Sequence, residues 1–539
     1  MLPKPALPYA VLLDSVRHLC FINKNEEMKI EQFCGAENII ASVALQNYMN
    51  GGKHMKLGEL VKNLEVIKRT ADLDTEISDI SYDSRKVKPG DLFVAIKGLS
   101  SDGHKYIPKA LENGAAAILC EDAPSENVPY VQIADCRKGL AYVSREFFGN
   151  PSAQMKLIGI TGTSGKTTSS YLIKHILEVV LGAKVGLIGT NGNMIGDEQI
   201  HSEFTTPESY ELEQLFRRMA DAGCSHVVME VSSHALALER VAGIHYDVAE
   251  YTNLSQDHLD LHGTMEEYAA AKRKLFSQCD IGCLNADDKW TPFMLEKASC
   301  RSFTFAVDTN EADLTAKDVR MNAEGVRFAA VYKDELALTK LGIPGIFSVH
   351  NALGAIAVGL ALGLNLQDCC EAMKTAKGVK GRVELVPTDG DYSIVIDYSH
   401  KPGALETVLK TLRPVTKGRL VCLFGCGGDR DKLKRPIMGA IAADNADFVI
   451  VTSDNPRTEE PEEIIREITA GMKNKHTPKK VITDRVEAIQ WAIDNARPGD
   501  VILLAGKGHE DYQVVGHEKH HMDEREIVAD WLEHRKNNK

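Results

Sequence analysis

Several things are missing from this sequence, and each absence narrows its function. No long hydrophobic run is present. The longest uncharged apolar stretch, Ala352–Leu364, is well short of the ~20 residues a membrane-spanning helix needs. No basic excess is present either: the net charge is -13, whereas a general nucleic-acid binder carries a basic footprint. The cysteines form no C-x2-C pair. Cys279/Cys283 and Cys422/Cys426 are both spaced C-x3-C, so buried reduced thiols are expected rather than a zinc site. No positively charged start leads into an apolar core with a cleavage site, so export is not expected. The dinucleotide fingerprint is absent too. After Gly425-x-Gly427, the position that should carry the third glycine holds Arg430, which disfavours NAD.

What remains is a globular composition, 44% hydrophobic and 26% charged over 539 residues, long enough for about three domains of ~150–200 residues. The chain is organised around Lys156–Val180. Lys156–Thr161 has the apolar, β-branched character of a buried strand. It breaks at Gly162-Thr163-Ser164-Gly165 and resumes at Lys166-Thr167-Thr168 with helical spacing of Leu172, Ile176 and Val179/Val180. Strand, glycine turn, lysine and helix start make a phosphate cradle: backbone N–H groups close on phosphate oxygens and the helix N-terminus adds positive potential. Lys166 can reach the β/γ-phosphates and the Thr167 hydroxyl can ligate Mg2+. The usual first glycine of such loops is replaced by Ile160, so the match is to a shorter GTxGKTT loop. An ordinary glycine-rich βα turn is the alternative.

The rest of the chain divides around this loop. Residues 1–54 have scattered prolines, little period and a Gly51-Gly52 break; a fresh start at Met55 makes them an expected appendage to the fold. Residues 55–152 are expected to form a small α/β unit, with Met55–Leu64 in helical spacing. Ser84 and Arg85 follow a strand there, in a loop that is either a ligand site or a solvated turn. Residues 153–383 alternate strand and helix, which predicts a parallel sheet with ligands at the strand C-termini. Glu230 ends the apolar run Val227–Met229, where a buried carboxylate favours a metal or bound water as partner. His258 follows the next strand in a loop with Asn253, Asp257 and Asp260, and is a site residue or a solvated histidine. Residues 384–539 form a third α/β unit. In it Asp397/His400, Asp429/Arg430, Asp454/Asn455/Arg457 and Lys507/His509/Glu510 all fall at strand ends. Four such loops on one sheet edge predict a binding face for a small, multiply charged molecule.

Taken together, these motifs resemble the Mur ligases of bacterial cell-wall synthesis. The likeness runs from about residue 55 to the C-terminus. It comprises TGTSGKTT, TTP (205–207), MEVSSHAL (229–236), TNLSQDHLDLHG (252–263), the YAAAK segment ending at Lys272, HN (350–351), GR (381–382), DYSHKP (397–402), GCGGDRDKLKRP (425–436), DNPR (454–457) and GKGHEDYQ (506–513). Residues 1–54 have no counterpart in it. The resemblance implies an α/β protein of three domains: a small N-terminal unit for a UDP-linked substrate, a central phosphate-loop ATPase unit and a C-terminal Rossmann-like unit. Within the family the likeness is greatest to the members that add meso-diaminopimelate to UDP-N-acetylmuramoyl-L-alanyl-D-glutamate. In that reaction ATP phosphorylates the D-glutamyl γ-carboxylate and an amine displaces the phosphate. The lysine-adding members, and a nucleotide-dependent switch protein, are the alternatives.

The resemblance also implies roles for individual residues. Gly162, Thr163, Gly165, Lys166, Thr167, Thr168, Asn253, Asn351, Arg382, Asp397 and His400 would hold ATP. Thr167, Glu230 and His258 would hold Mg2+, and Lys272 would carry a CO2-derived carbamate as a further metal ligand; by sequence pattern alone Lys272 reads as a helix-surface lysine. Lys166, Glu230, His258 and Lys272 would form the catalytic set. Ser84, Thr205, Thr206, Ser232 and Arg240 would contact the UDP-muramoyl dipeptide. Arg430, Asp454, Asn455, Pro456, Arg457, Gly506 and Glu510 would receive diaminopimelate. The partners implied are small molecules, and a cytoplasmic monomer is expected.

Overall fold

The computed structural model describes residues 54–537 apart from 99–100, 126, 203 and 323–324. The expected appendage therefore lies almost wholly outside the described residues. Three larger sheets, of five, eleven and six strands, carry the fold.

In the first unit, Tyr130–Gln132, Ala117–Cys120, Leu92–Val94 and Ile80–Ser81 lie side by side and parallel. The helix Cys136–Phe147 packs on them, started by Asp135, whose side chain accepts from the N–H groups of Arg137 and Lys138. The helix expected from Met55 is shorter than its spacing predicts. Met55 and Lys56 pair as a strand with Ile77 and Glu76, and helix runs only over Leu57–Val61. Leu57, Leu60 and Val61 still face the core, so the periodicity marked the buried face and missed the strand.

The central sheet is built outward from Lys156–Thr161, which pairs in parallel with His226–Glu230 on one side and Tyr246–Tyr251 on the other. Val185–Ile188 extends one flank; Cys279–Asn285, Arg301–Ala306 and Leu314–Asn322 extend the other, all parallel. Antiparallel strands finish both edges: Asn193–Ile195 and Glu198–Ile200 at one end, Gly325–Tyr332 and Glu335–Leu341 at the other. The helices Lys166–Leu181 and Ile346–Ala361 cover one face. The apolar run noted in the sequence lies largely in the second of these helices, with Val349, Leu353 and Ile356 buried against Leu172, Ile173 and Ile176. Each such leucine or isoleucine taken from water contributes about 1.5–3 kcal/mol. Gly354 is required there, because a Cβ would collide with the Glu250 carboxylate.

In the C-terminal unit, Ser393–Asp397, Val501–Ala505, Leu420–Phe424 and Phe448–Val451 are adjacent and parallel. Asp397 is level with Ala505, Ala505 with Phe424, and Phe424 with Val451. The four charged loops therefore leave the sheet along one edge, at the strand C-termini where open α/β sheets bind ligands.

Candidate active site

The glycine loop is closed by its own backbone. Gly162 (φ 147°) and Gly165 (φ 90°) occupy conformations that side chains disfavour. A Cβ on Gly165 would also lie 2.6 Å from Asn351 Oδ1. The loop is tied to the neighbouring strand end: Thr163 N–H donates to the Asn253 carbonyl (2.9 Å), Ser164 N–H to Asn253 Oδ1 (3.1 Å), and Asn253 Nδ2 to the Ser164 carbonyl (3.0 Å). Asn253 thus shapes the loop with both ends of its amide. Lys166 opens the helix and folds back over the loop, donating to the carbonyls of Gly162 (2.9 Å) and Thr163 (3.0 Å). Burial pushes its proton affinity below that of a free lysine. Thr167 and Thr168 are buried behind it.

Glu230 sits at the end of its strand, only 1% exposed. Its carboxylate accepts from Thr190 N–H (2.9 Å) and Thr190 Oγ1 (3.0 Å). Thr190 Oγ1 in turn lies 3.0 Å from Thr205 Oγ1, and Thr206 Oγ1 donates to the Glu230 carbonyl (2.8 Å). Ser232 N–H donates to Thr206 Oγ1 (3.1 Å), and Arg240 reaches the Thr206 carbonyl (3.0 Å) and Glu208 (3.1 Å). Glu230, Thr205, Thr206, Ser232 and Arg240 are therefore one hydrogen-bonded group. Thr190, which joins Glu230 to Thr205, was missed in the sequence because a threonine after a strand carries no pattern of its own. Ser84 is apart from this group, buried in the first unit, where its carbonyl accepts from Asn113 (2.8 Å).

Lys272 is not a surface lysine. It is 1% exposed on the helix Met265–Arg273. Its Nζ donates to the Gly162 carbonyl (2.8 Å) and lies 4.7 Å from the centre of the Tyr268 ring. Burial, and then the nearby Lys166 charge, hold its proton affinity well below that of an ordinary lysine. His258 adopts a left-handed backbone (φ 53°). Its ring stands 4.7 Å from His234 and 6.2 Å from Tyr268. Burial lowers its pKa to about 4, leaving a neutral imidazole.

The C-terminal unit closes over this loop. A cavity of about 480 Å³ is walled by Thr163–Thr168, Glu230 and Asn253 from one unit, by Asn351, and by Arg382, Asp397 and Tyr398 from the other side. Asp397 accepts from Val383 N–H (2.9 Å) and from the Ser399 hydroxyl, and burial raises its pKa. The Arg382 guanidinium lies 4.9 Å over the Tyr398 ring. His400 is outside the cavity wall, with Nδ1 2.8 Å from the Tyr398 carbonyl and a pKa lowered to about 4 by burial. Lys401 crosses to the central unit and pairs with Asp257 at 2.7 Å.

Along the edge of the C-terminal sheet, Asn455 Nδ2 (3.0 Å) and Lys507 Nζ (2.9 Å) both donate to Glu510 Oε2. Lys507 also donates to Asn455 Oδ1 (2.8 Å). Arg457 has a left-handed backbone (φ 52°) and donates to the Gly428 carbonyl (2.9 Å); Arg430 donates to the Asp429 carbonyl (3.0 Å). Gly506 (φ 115°) runs so close to Asp454 that a Cβ would lie 2.7 Å from its Oδ2. Pro456 continues this turn, its carbonyl packed against Gly428. Two cationic forks and two acids thus share one face, joined to the cavity wall where Gly506 N–H donates to the Asp397 carbonyl (2.9 Å).

Three family models match the chain: the Mur ligase middle domain over 160–359, the Mur ligase glutamate ligase domain over 381–508, and the Mur ligase family catalytic domain over 76–148. A UDP-N-acetylmuramoyl-L-alanyl-D-glutamate–2,6-diaminopimelate ligase of Clostridium botulinum is 45% identical over 488 residues, covering 89% of this chain and 99% of the relative. The protein of the same name from Caldanaerobacter subterraneus is 46% identical over 482 residues, with the same coverage. Among solved structures, a ligase of that name superposes with a TM-score of 0.67 at 32% identity, over 90% of this chain and 99% of that one. A MurF ligase of Thermotoga maritima in complex with ADP shares the fold at 22% identity, with a TM-score of 0.56 over 85% of this chain and 98% of that one.

Proposed function

The chain belongs to the Mur ligase family, and from that premise we propose that it joins meso-diaminopimelate to the D-glutamyl γ-carboxylate of UDP-N-acetylmuramoyl-L-alanyl-D-glutamate at the expense of ATP. The observation that carries the reading is the cavity walled by the phosphate loop, by Arg382 at the end of the central unit and by Asp397 of the following one, beside a sheet edge of paired cations and acids. A carboxylate oxygen is a poor leaving group. Transfer of the γ-phosphoryl group from ATP converts it to an acyl phosphate, with ADP released. The amine nitrogen then attacks the acyl carbon, the C–O bond to phosphate breaks, and the nitrogen loses a proton. Catalysis of this kind is chiefly positioning and neutralisation of charge.

In this reading the backbone amides of Gly162–Thr168 cradle the phosphates. Lys166 exchanges its two loop carbonyls for phosphoryl oxygens. Asn351, Arg382 and Asp397 frame the nucleoside, with His400 acting from outside the cavity wall through its contact with the Tyr398 ring. The donor set fits Mg2+: Glu230 offers a buried carboxylate whose protein partner is the neutral Thr190, and His258 is a neutral imidazole. Thr167, Glu230, His258 and a carbamate on Lys272 would hold the ion, which supplies neutralisation of the phosphoryl charge. Lys272 fits carbamate formation, since burial lowers its proton affinity and an amine that gives up its proton has the lone pair that CO2 requires.

Ser84, Thr205, Thr206, Ser232 and Arg240 would bind the muramoyl dipeptide. Arg430 and Arg457 would take carboxylates of diaminopimelate in bidentate fashion, and Asp454 and Glu510 its distal ammonium. Lysine lacks the distal carboxylate and would leave Arg457 unpaired, which disfavours it. The division at 55–152, 153–383 and 384–539, a cytoplasmic location and a monomeric state belong to the same proposal. Among the described residues no helix is long and apolar enough to cross a membrane.

Phosphate release measured with and without the two co-substrates tests the reading. Release that requires both supports a ligase. Release independent of the amino acid would favour a nucleotide switch.

A further inference from the structure

Behind the amino-acid loops stands an arginine that touches no solvent. Arg485 opens the helix Arg485–Asp494, and its side chain is 0% exposed, as is that of its partner Glu524. The guanidinium donates through Nε to Glu524 Oε1 (2.9 Å), through Nη1 to the Ser453 carbonyl (3.3 Å) and through Nη2 to the Ala505 carbonyl (2.9 Å). Ser453 immediately precedes Asp454, and Ala505 immediately precedes Gly506. The strands that lead into these two loops, Phe448–Val451 and Val501–Ala505, are not neighbours, because Leu420–Phe424 lies between them. These two strands therefore share no sheet hydrogen bonds. The far end of the first loop is bridged to the chain beyond the second, Arg457 N–H donating to the Val514 carbonyl and Gly516 N–H to the Arg457 carbonyl. The guanidinium fork joins the two strand ends themselves.

Stability alone does not account for this pair. A buried ion pair loses hydration that its attraction barely offsets, and apolar replacements of similar volume are often as stable or more so. What an apolar pair cannot do is donate to two carbonyls at once in a fixed plane. The two loops also meet closely, with Gly506 against the Asp454 carboxylate. Lys507 and Asn455 then close the network on Glu510. A small slip of one strand end against the other would separate Asn455 from both Lys507 and Glu510.

We infer that Arg485, held by Glu524, is a positioning residue for amino-acid recognition, setting the register of the Asp454–Arg457 loop against the Gly506–Glu510 loop. The inference rests on reading those loops as the diaminopimelate pocket.

The test compares steady-state kinetics of the full-length enzyme with those of Arg485→Met/Glu524→Met, which removes both charges together. The double variant is expected to keep a melting temperature near that of the parent. Its KM for diaminopimelate should rise about 10-fold or more, while KM for ATP and for the muramoyl dipeptide stay within about twofold, since misplacement by ~1 Å is enough for such losses. A stable double variant with unchanged KM for diaminopimelate overturns the inference, as does an equal rise in all three constants. Should the double variant not fold, Arg485→Lys decides: it keeps the charge opposite Glu524 but lacks the fork, so the same selective rise is expected, and its absence is contradictory. If the parent enzyme itself ligates no diaminopimelate, the functional reading fails and the inference with it, a result visible before any variant is made.

Discussion

Lys166 and Lys272 donate to the same acceptor, the carbonyl of Gly162, at 2.9 and 2.8 Å. They arrive from different helices, one opening at the loop and the other about a hundred residues later in the chain. Two ammonium groups sharing one carbonyl in a buried site repel each other. Burial and that repulsion favour loss of a proton from Lys272, the condition under which it can take up CO2.

Lys272→Met is therefore expected to lower kcat by about 10²-fold, the scale of losing one electrostatic group at a transferring centre, with the fold unchanged by circular dichroism. Depleting CO2 should slow the parent enzyme and bicarbonate should restore it. A parent enzyme indifferent to CO2 would remove the carbamate from the account.

Gly165→Ala places a Cβ 2.6 Å from Asn351 Oδ1 at a φ of 90°. Nucleotide affinity, read by calorimetry, is expected to fall about 10-fold or more, given the 1–3 kcal/mol such strain costs. Gly182→Asn is the control. That glycine caps the far end of the same helix at φ 61° with open space around it, and asparagine tolerates the left-handed region. Its nucleotide affinity should stay near the parent value.

Glu250 is fully buried, accepts from Ser169 Oγ (2.9 Å) and has one oxygen without a partner. Burial raises its pKa to about 8, far above the 4.5 of a free glutamate, so the folded state favours the proton. The stabilisation that comes with the proton is present in full below about pH 4.5 and is lost as pH rises towards about 8, because over that window the native state binds more protons than the unfolded one. Urea titrations should show stability falling across the window, by on the order of 5 kcal/mol for this residue. Glu250→Gln should flatten the curve. Glu213, also raised to about 8 by burial, leaves the variant a residual slope.

Lys401 and Asp257 join the C-terminal unit to the loop that carries His258. Lys401 is 41% exposed, so the pair is screened and is worth at most about 1 kcal/mol. Lys401→Gln is expected to raise KM for ATP by about fivefold at low salt, with the difference shrinking as salt rises. If the units close on their ligands, small-angle scattering should show compaction of the parent enzyme with nucleotide and muramoyl dipeptide, and less in the variant. No compaction in the parent would count against closure.

Much of this arrangement was legible in the sequence because it rests on short-range rules. Lys156–Thr161 begins and ends where its apolar run does. Glu230 lies at a strand end because the run before it is unbroken. Four charged loops share an edge because parallel strands must present their C-termini together. Partnerships across the chain were not legible. Thr190 acquires its role by facing Glu230, Lys401 by facing Asp257, and Arg485 by reaching the carbonyls of Ser453 and Ala505 beside two strand ends; none carries a local pattern. Lys272 is the sharpest case, since helical spacing alone places it outside and only the docking of its helix against the glycine loop buries it. The antiparallel strands Gly325–Tyr332 and Glu335–Leu341 were likewise unread, because Ala329 and Ala330 are buried in succession in the first, while in the second Leu336 and Leu338 are exposed and Thr339 is buried.

The central claim is tested most directly by ATP-dependent product formation from UDP-N-acetylmuramoyl-L-alanyl-D-glutamate, with meso-diaminopimelate and L-lysine supplied in parallel. The account predicts the diaminopimelate product, little or none with lysine, and a gap that narrows in Arg457→Met because the unpaired cation is gone. Efficient lysine addition by the parent enzyme would contradict the role given to Arg457. Hydrolysis of ATP with neither product would contradict the ligase itself.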